Sequence, residues 1–282
     1  MKLGIHAYAW CTEWSNEQLD LIDRAKQLGM DFIEIPLMVL NKYDASAVRE
    51  RLEKLDFDAV FSTVLTSETD ITSEDENIRK NGVDYLKKCV RAVHDTGKTN
   101  FSGVIYSQHI KSIDHRPTEQ EYMFSADSLR EVAVYAKQFN VMIGLEPVNR
   151  YETFLVNTAS QAKMLKEMIG MDNIRIHLDT YHMNIEEKSF YEATRLVGDD
   201  LMHYHLCEND RGIPGTGLVN WDDIFKALAE MNYNGYAALE SFVDCTDNMS
   251  TWVWRQLAEN GDTLVTEGVA FIRKMMKKHG LS

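Results

Sequence analysis

Cysteine, proline and positive charge are all scarce in this chain. Its four cysteines, Cys11, Cys89, Cys207 and Cys245, lie far apart in 282 residues and form no C-x-x-C pair. That excludes a disulfide scaffold and leaves reduced thiols as the expectation. Four prolines and no Gly/Ser-rich tract leave no candidate linker, so one domain over residues 1–282 is expected. Lysine and arginine number 30 against 44 aspartates and glutamates, a formal charge of −14. Such a balance repels phosphate backbones, and no basic cluster exceeds Lys274, Lys277 and Lys278, so nucleic acid is not an expected partner. No window approaches the roughly 18 uncharged apolar residues of a membrane span. The opening Met-Lys-Leu-Gly-Ile-His lacks the apolar run of a secretory signal, and a cytoplasmic protein without membrane contact is expected.

What the chain has instead is regular alternation. Strand-like apolar runs occupy Leu3–Ala7, Phe32–Ile35, Ala59–Leu65, Phe101–Tyr106, Val141–Glu146, Ile174–Leu178, Leu201–Leu206 and Tyr236–Glu240. Helical patterns alternate with them at Glu17–Leu28, Ala45–Leu55, Asp75–Thr96, Glu119–Phe139, Ala159–Met168, Phe190–Val197, Trp221–Glu230 and Thr251–Lys278. Ser73 and Glu76 are spaced as a capping box for the third helix, with Gly97 at its end, and Gly29 follows the first. Strands that alternate with helices pair in parallel, because each helix returns the chain to the same end of the sheet. Eight such units predict a single (β/α)8 TIM barrel of the α/β class. The rival, a doubly wound open sheet, calls for a glycine-rich turn after the first strand, and Trp10-Cys-Thr-Glu-Trp-Ser15 is not one.

In such a barrel, functional groups stand at the C-terminal ends of the strands. Four consecutive strands close on metal-ligand chemistry, in Glu146, Asp179, His205 and Glu240, which are 33, 26 and 35 residues apart. That spacing places four ligands around one rim. His203 and His205 share a side of their strand, and His205, nearer the rim, is taken as the ligand with His203 below it. Three carboxylates and one imidazole suit Mn²⁺ or Mg²⁺ and admit Co²⁺. Arg211 can neutralise the residual negative charge. A divalent ion with open positions chelates a carbonyl and a neighbouring hydroxyl oxygen and stabilises an enediolate, and Glu146 and Glu240, arriving from different strands, can remove and return the proton.

Three segments then resemble one family: Leu178-Asp-Thr-Tyr-His-Met-Asn-Ile-Glu-Glu187; His205-Leu-Cys-Glu-Asn-Asp-Arg211 with Pro214-Gly-Thr-Gly217 and Trp221; and Gly144-Leu-Glu-Pro147 with Glu152. They are similar to the ketose 3-epimerases (D-tagatose, D-psicose or allulose, and L-ribulose 3-epimerases) of the xylose isomerase-like barrels, along Met1 to about Lys278. The resemblance implies one divalent cation on Glu146, Asp179, His205 and Glu240, Mn²⁺ first with Co²⁺ or Mg²⁺ as alternatives. It also implies exchange of the C3 proton of a free ketose by the two glutamates. Glu152, His182 and Arg211 would hold the O1 to O3 end of the open-chain sugar, and Trp14 is similar to the aromatic residue that the family places over it. A homo-oligomer, dimer or tetramer, follows on the same analogy. The resemblance leaves the wall around the distal sugar carbons unassigned.

Other residues carry plainer expectations. Glu34 reads as an outer carboxylate or a salt bridge, His6 and Tyr8 as pocket wall or core, and His109 and His115 as solvated loop residues. Cys207 and Cys245 read as packing, and Trp252, Trp254, Met275 and Met276 as parts of the last helix facing the core or another subunit. The alternatives to epimerisation are an aldose–ketose or hydroxypyruvate-type isomerase on the same site, an apurinic-site endonuclease with several zinc ions, and a sugar-binding barrel without turnover.

Overall fold

The computed structural model describes residues 1–242 and 253–281. Eight parallel strands close into a barrel: β1 (Lys2–His6), β2 (Phe32–Pro36), β3 (Asp58–Leu65), β4 (Asn100–Gln108), β5 (Met142–Leu145), β6 (Ile174–Asp179), β7 (Leu201–Leu206) and β8 (Tyr236–Leu239). Each pairs with its successor, and β1 meets β8 from Lys2 opposite Tyr236 to Ile5 opposite Leu239. Around them lie α1 (Asp20–Gln27), α2 (Ala45–Leu55), α3 (Glu76–Asp95), α4 (Glu119–Lys137) and α5 (Ala159–Ile169). They are followed by α6 (Thr180–Glu186), α7 (Phe190–Val197), α8 (Trp221–Glu230) and α9 (Gly261–His279).

Helices cover the outside of the strands, so the strands are apolar almost throughout rather than alternating. The main core is the shell between the two layers, where strand residues such as Ile33, Ile35 and Ile176 meet helix residues such as Ile22, Leu129 and Leu165. Inside the barrel a smaller plug forms from Phe32, Val60 and Ala238 with Tyr236 against it. Gly4 belongs to that plug by default, since a Cβ there would stand 2.5 Å from the Phe32 ring. Above the plug the barrel interior becomes polar. Thr118 with Glu121 and Thr158 with Gln161 form capping boxes that start α4 and α5, each stabilising its helix by about 1 kcal/mol.

Three local expectations are corrected. The cap of α3 is Asp75, whose side chain accepts from Asn77 N, while Ser73 Oγ accepts from Asp75 N one step earlier. The last helix starts at Gly261 under an Asn260 cap, not at Thr251, because Asn260 satisfies the exposed N–H of Thr263. Trp254 therefore precedes the helix and is 66% exposed, Met275 and Met276 are buried on it, and Trp252 and Cys245 lie outside the described residues. A short helix absent from the sequence reading, α6, directly follows Asp179, which caps it by accepting from Tyr181 N at 2.7 Å. No described helix is long and apolar enough to cross a membrane.

Candidate active site

The ends of β5 to β8 bring the four candidate ligands to one point. Glu146 follows β5, Asp179 ends β6, His205 is the penultimate residue of β7 and Glu240 follows β8. His205 Nδ1 stands 3.4 Å from Glu146 Oε1, 3.7 Å from Asp179 Oδ2 and 3.4 Å from Glu240 Oε2. Asp179 contributes one oxygen only, because the other is held by the α6 cap.

His205 is oriented from beneath by a residue on the opposite side of the barrel. Glu34, wholly buried on β2, accepts from His205 Nε2 at 2.8 Å and from His203 Nε2 at 2.7 Å. Burial alone would protonate Glu34, but the His205, His203 and His6 rings outweigh it and hold the carboxyl well below its ordinary range. An ionised carboxylate only accepts, so both rings donate from Nε2. Burial opposes a charge on His205, but Glu34, Glu240, Asp179 and Glu146 outweigh it and raise its pKa well above the ordinary value. His205 Nδ1 has no hydrogen-bond partner among the described residues. An imidazole nitrogen buried among three carboxylate oxygens, its other nitrogen tied to a carboxylate, is the donor arrangement of a divalent cation site, where the cation would take the place of the Nδ1 proton. The residues fit such an ion, and Glu146, Asp179 and His205 offer one ligand atom each within 4.8 Å of one another.

Electrostatics separate the two glutamates. Burial, with Glu240 and Asp179 close by, pushes the Glu146 carboxyl up to about 7. Burial opposes ionisation of Glu240 as well, but Arg211 and His205 outweigh it and lower its pKa. Arg211 Nη1 donates to Glu240 Oε2 at 2.5 Å, to Asp179 Oδ2 at 2.8 Å and to Cys207 Sγ at 2.9 Å. Cys207, taken as packing, thus also touches the guanidinium. Arg211 adopts a left-handed backbone (φ 67°), with its N–H donating to Glu208 O at 3.0 Å and its carbonyl accepting from Ser241 Oγ at 2.6 Å. The fully buried Glu208 carboxylate ties down the following loop through Asn209 N, Gly215 N, Val219 N and Trp221 Nε1.

A second polar cluster adjoins the first. Asn149 N donates to His182 Nδ1 at 3.1 Å, which leaves the His182 proton on Nε2, beside Arg211 Nη2 at 3.1 Å. Two donors therefore stand together, one neutral and one charged, suited to oxygens of a polyhydroxylated ligand. Glu152 accepts from Asn149 Nδ2 at 2.8 Å, and His109 Nε2 lies 3.1 Å from its other oxygen. Burial would raise the Glu152 pKa, yet His182, His109 and Arg211 bring it down to about 2. His109 is not solvated as expected, because its backbone N–H is anchored on Leu65 O and its ring packs on Glu152; His115 is half exposed.

Six of these groups open into one cavity of about 560 Å³. Glu146, Glu240, His205, Glu152, His182 and Arg211 line it, with His6, Tyr8, Met38, Val64, Tyr85, His109 and Phe242 on the remaining walls. Trp14 is not among them: it is 2% exposed and packed in the core. Of the eight site residues expected from sequence, the structure brings together all but Trp14. Glu34, expected as an outer carboxylate or a salt bridge, is the support beneath His205, whereas Asn149 was missed, its only signal being its place in Glu146-Pro-Val-Asn-Arg150.

The sequence pattern of the xylose isomerase-like TIM barrel family matches residues 22–275. A ketose 3-epimerase of Arthrobacter globiformis is 34% identical over 278 residues, covering 97% of this chain and 96% of that protein. The chain belongs to the ketose 3-epimerase family. It is by that membership an isomerase. An L-ribulose 3-epimerase of Mesorhizobium japonicum is 32% identical, covering 96% of this chain and 93% of that protein. The crystal structure of a D-allulose 3-epimerase from Methylomonas sp. in complex with D-allulose superposes with a TM-score of 0.92 at 32% identity, covering 98% of this chain and 97% of that one.

Proposed function

We propose that the protein epimerises a free ketose at C3 with one divalent cation held by Glu146, Asp179, His205 and Glu240. The observation that carries this reading is the convergence of three carboxylates on Nδ1 of His205, two of them reaching the cavity from β5 and β8. A bound cation would supply Lewis-acid stabilisation of the negative charge that develops on the sugar oxygens as C3 loses its proton. The oxygen-rich donor set favours Mn²⁺, with Co²⁺ or Mg²⁺ as substitutes. Glu146 and Glu240 flank the reacting carbon; one takes its proton and the other returns one from the opposite face. Their surroundings differ, since Arg211 donates to Glu240 and, among the described residues, no arginine is hydrogen-bonded to Glu146, which gives the two carboxylates unequal basicity. His182 Nε2 and Arg211 Nη2 donate to the O1 to O3 end of the sugar, and Glu152 accepts from a hydroxyl there. Trp14, buried behind the wall, is left out of that contact. By the same family resemblance the chain assembles as a dimer or tetramer, which light scattering on the eluted protein reads.

The test is incubation of the Mn²⁺-loaded protein with a ketose panel in D₂O. Epimer formation with deuterium at C3 is expected. Deuterium at C1 or C2 with an aldose product would replace the reading by an aldose–ketose isomerase, and no exchange into any ketose would end it.

A further inference from the structure

His109 lines the cavity beside Glu152 and has no part in the reaction proposed above. The backbone that delivers it departs from regular geometry twice. β3 and β4 stay in register as far as Val64 opposite Val104, and the next pair is Leu65 with Gln108, so Ile105, Tyr106 and Ser107 bulge from the ladder. Bulges of this kind re-aim the chain beside functional sites. Ile110 is then left-handed at φ 55°, where a β-branched side chain crowds the backbone, and such strain persists only where the surroundings impose it. They do so here on both sides of His109. Gln108 N donates to Asp70 Oδ1 at 3.0 Å and Lys111 Nζ to Asp70 Oδ2 at 2.7 Å, while His109 N donates to Leu65 O at 2.9 Å and Ile110 N to Glu152 O at 2.7 Å. Asp70 is buried, so its carboxylate serves the segment 108–111 rather than solvent.

Glu152 is thereby gripped twice, at its carbonyl by Ile110 and at its carboxylate by His109 Nε2, 3.1 Å from Oε2. The carboxylate is ionised and only accepts, so the proton between them belongs to His109. Asn149 Nδ2 donates to the other oxygen at 2.8 Å, and donors from two different loops leave the carboxylate no free rotation. Each oxygen keeps a lone pair for a ligand hydroxyl. We infer that His109 is a positioning residue, whose Nε2–H holds the Glu152 carboxylate in the orientation that receives a hydroxyl of the ketose. Glu152 touches a hydroxyl and not the carbon that loses its proton, so its contact is alike in the bound sugar and in the transition state. Weakening that contact therefore raises KM and leaves kcat. This role rests on the reading of Glu152 as a sugar contact; the hydrogen bond between the two side chains does not.

The experiment compares the full-length, Mn²⁺-loaded wild type with His109→Phe, which keeps a ring and removes the donor, and with His109→Gln, which keeps a donor. KM for the best ketose of the panel is expected to rise about tenfold or more in His109→Phe with kcat within about threefold, and to return to within about threefold of wild type in His109→Gln. Mn²⁺ affinity, followed by electron paramagnetic resonance, should stay within about twofold in both, which shows that they fold. An unchanged KM in His109→Phe, a loss confined to kcat, or an equal rise in both variants would overturn the role, the last because volume rather than the donor would then matter. Should His109→Phe fail to fold, His109→Leu takes its place. Independently of activity, the imidazole ¹⁵N spectrum of wild type should show His109 protonated on Nε2, and a proton on Nδ1 alone would overturn the hydrogen bond. If wild type epimerised no ketose, the proposed function would fail and the role with it, while the spectrum would still decide the contact between His109 and Glu152.

Discussion

The two halves of the barrel are built alike and equipped differently. β5 to β8 end in Glu146, Asp179, His205 and Glu240, which share one point. β1 to β4 send no candidate ligand there: Glu34 reaches the centre through the imidazoles of β7, and Ser62, Thr63 and Val64 line the cavity wall. On the proposed function one half carries the proton chemistry, and the other supplies support and shape. Substitutions in the second half should change the rate and metal retention, and those in the first should change sugar preference.

The largest effect is expected at the glutamates. Glu146→Gln or Glu240→Gln should lower turnover about 10²- to 10⁴-fold, measured as C3 exchange, because each removes a proton-transfer group. Should either retain near-normal exchange, the division between the halves would be wrong. Next comes Glu34→Gln, which crosses that division: loss of the carboxylate under His205 should weaken Mn²⁺ affinity about 10- to 100-fold, read by calorimetry, although Glu34 touches neither ion nor sugar. Val64→Ala, on the wall, should alter the ratio of kcat/KM between two ketoses by about tenfold at most and leave Mn²⁺ affinity unchanged. The smallest effect concerns pH. Glu152 takes up a proton only near pH 2 in the fold, against an ordinary value of 4.5, so the unfolded chain binds that proton first as acid is added. The stabilisation by Glu152 is complete above about pH 4.5 and fades as pH falls towards 2. Glu152→Gln should flatten this limb in denaturant melts taken across the window; an unchanged limb would contradict the ion-pair account of Glu152.

The same division explains what could be read from sequence. Eight strands and the ends of most helices were legible because barrel periodicity and capping residues act over neighbouring positions, as in α2 (Ala45–Leu55) and α8 (Trp221–Glu230), which match the expectation at both ends. The four candidate ligands were legible because each closes an apolar run. Glu34 beneath His205 was not, since that contact spans 171 residues and arises only when the barrel closes β2 against the interior of β7. His109 was misread for a similar reason: its partner Glu152 comes from a different loop, 43 residues away. The helix after Asp179 was hidden because its cap doubles as a candidate ligand, and the start of α9 because Thr251 continues an apolar pattern that Asn260 interrupts.

The left-handed backbone at Arg211 has a bearing on how quickly sugar is captured. That turn is pinned by Glu208 O and Ser241 Oγ, and its guanidinium lies 4.1 Å above the Tyr181 ring. The freedom of a long, mobile cationic arm is therefore surrendered when the chain folds rather than at each encounter. An arriving ketose meets a donor already aimed, so affinity at this end of the cavity depends little on induced ordering, and a looser turn at position 211 would show itself first as slower association.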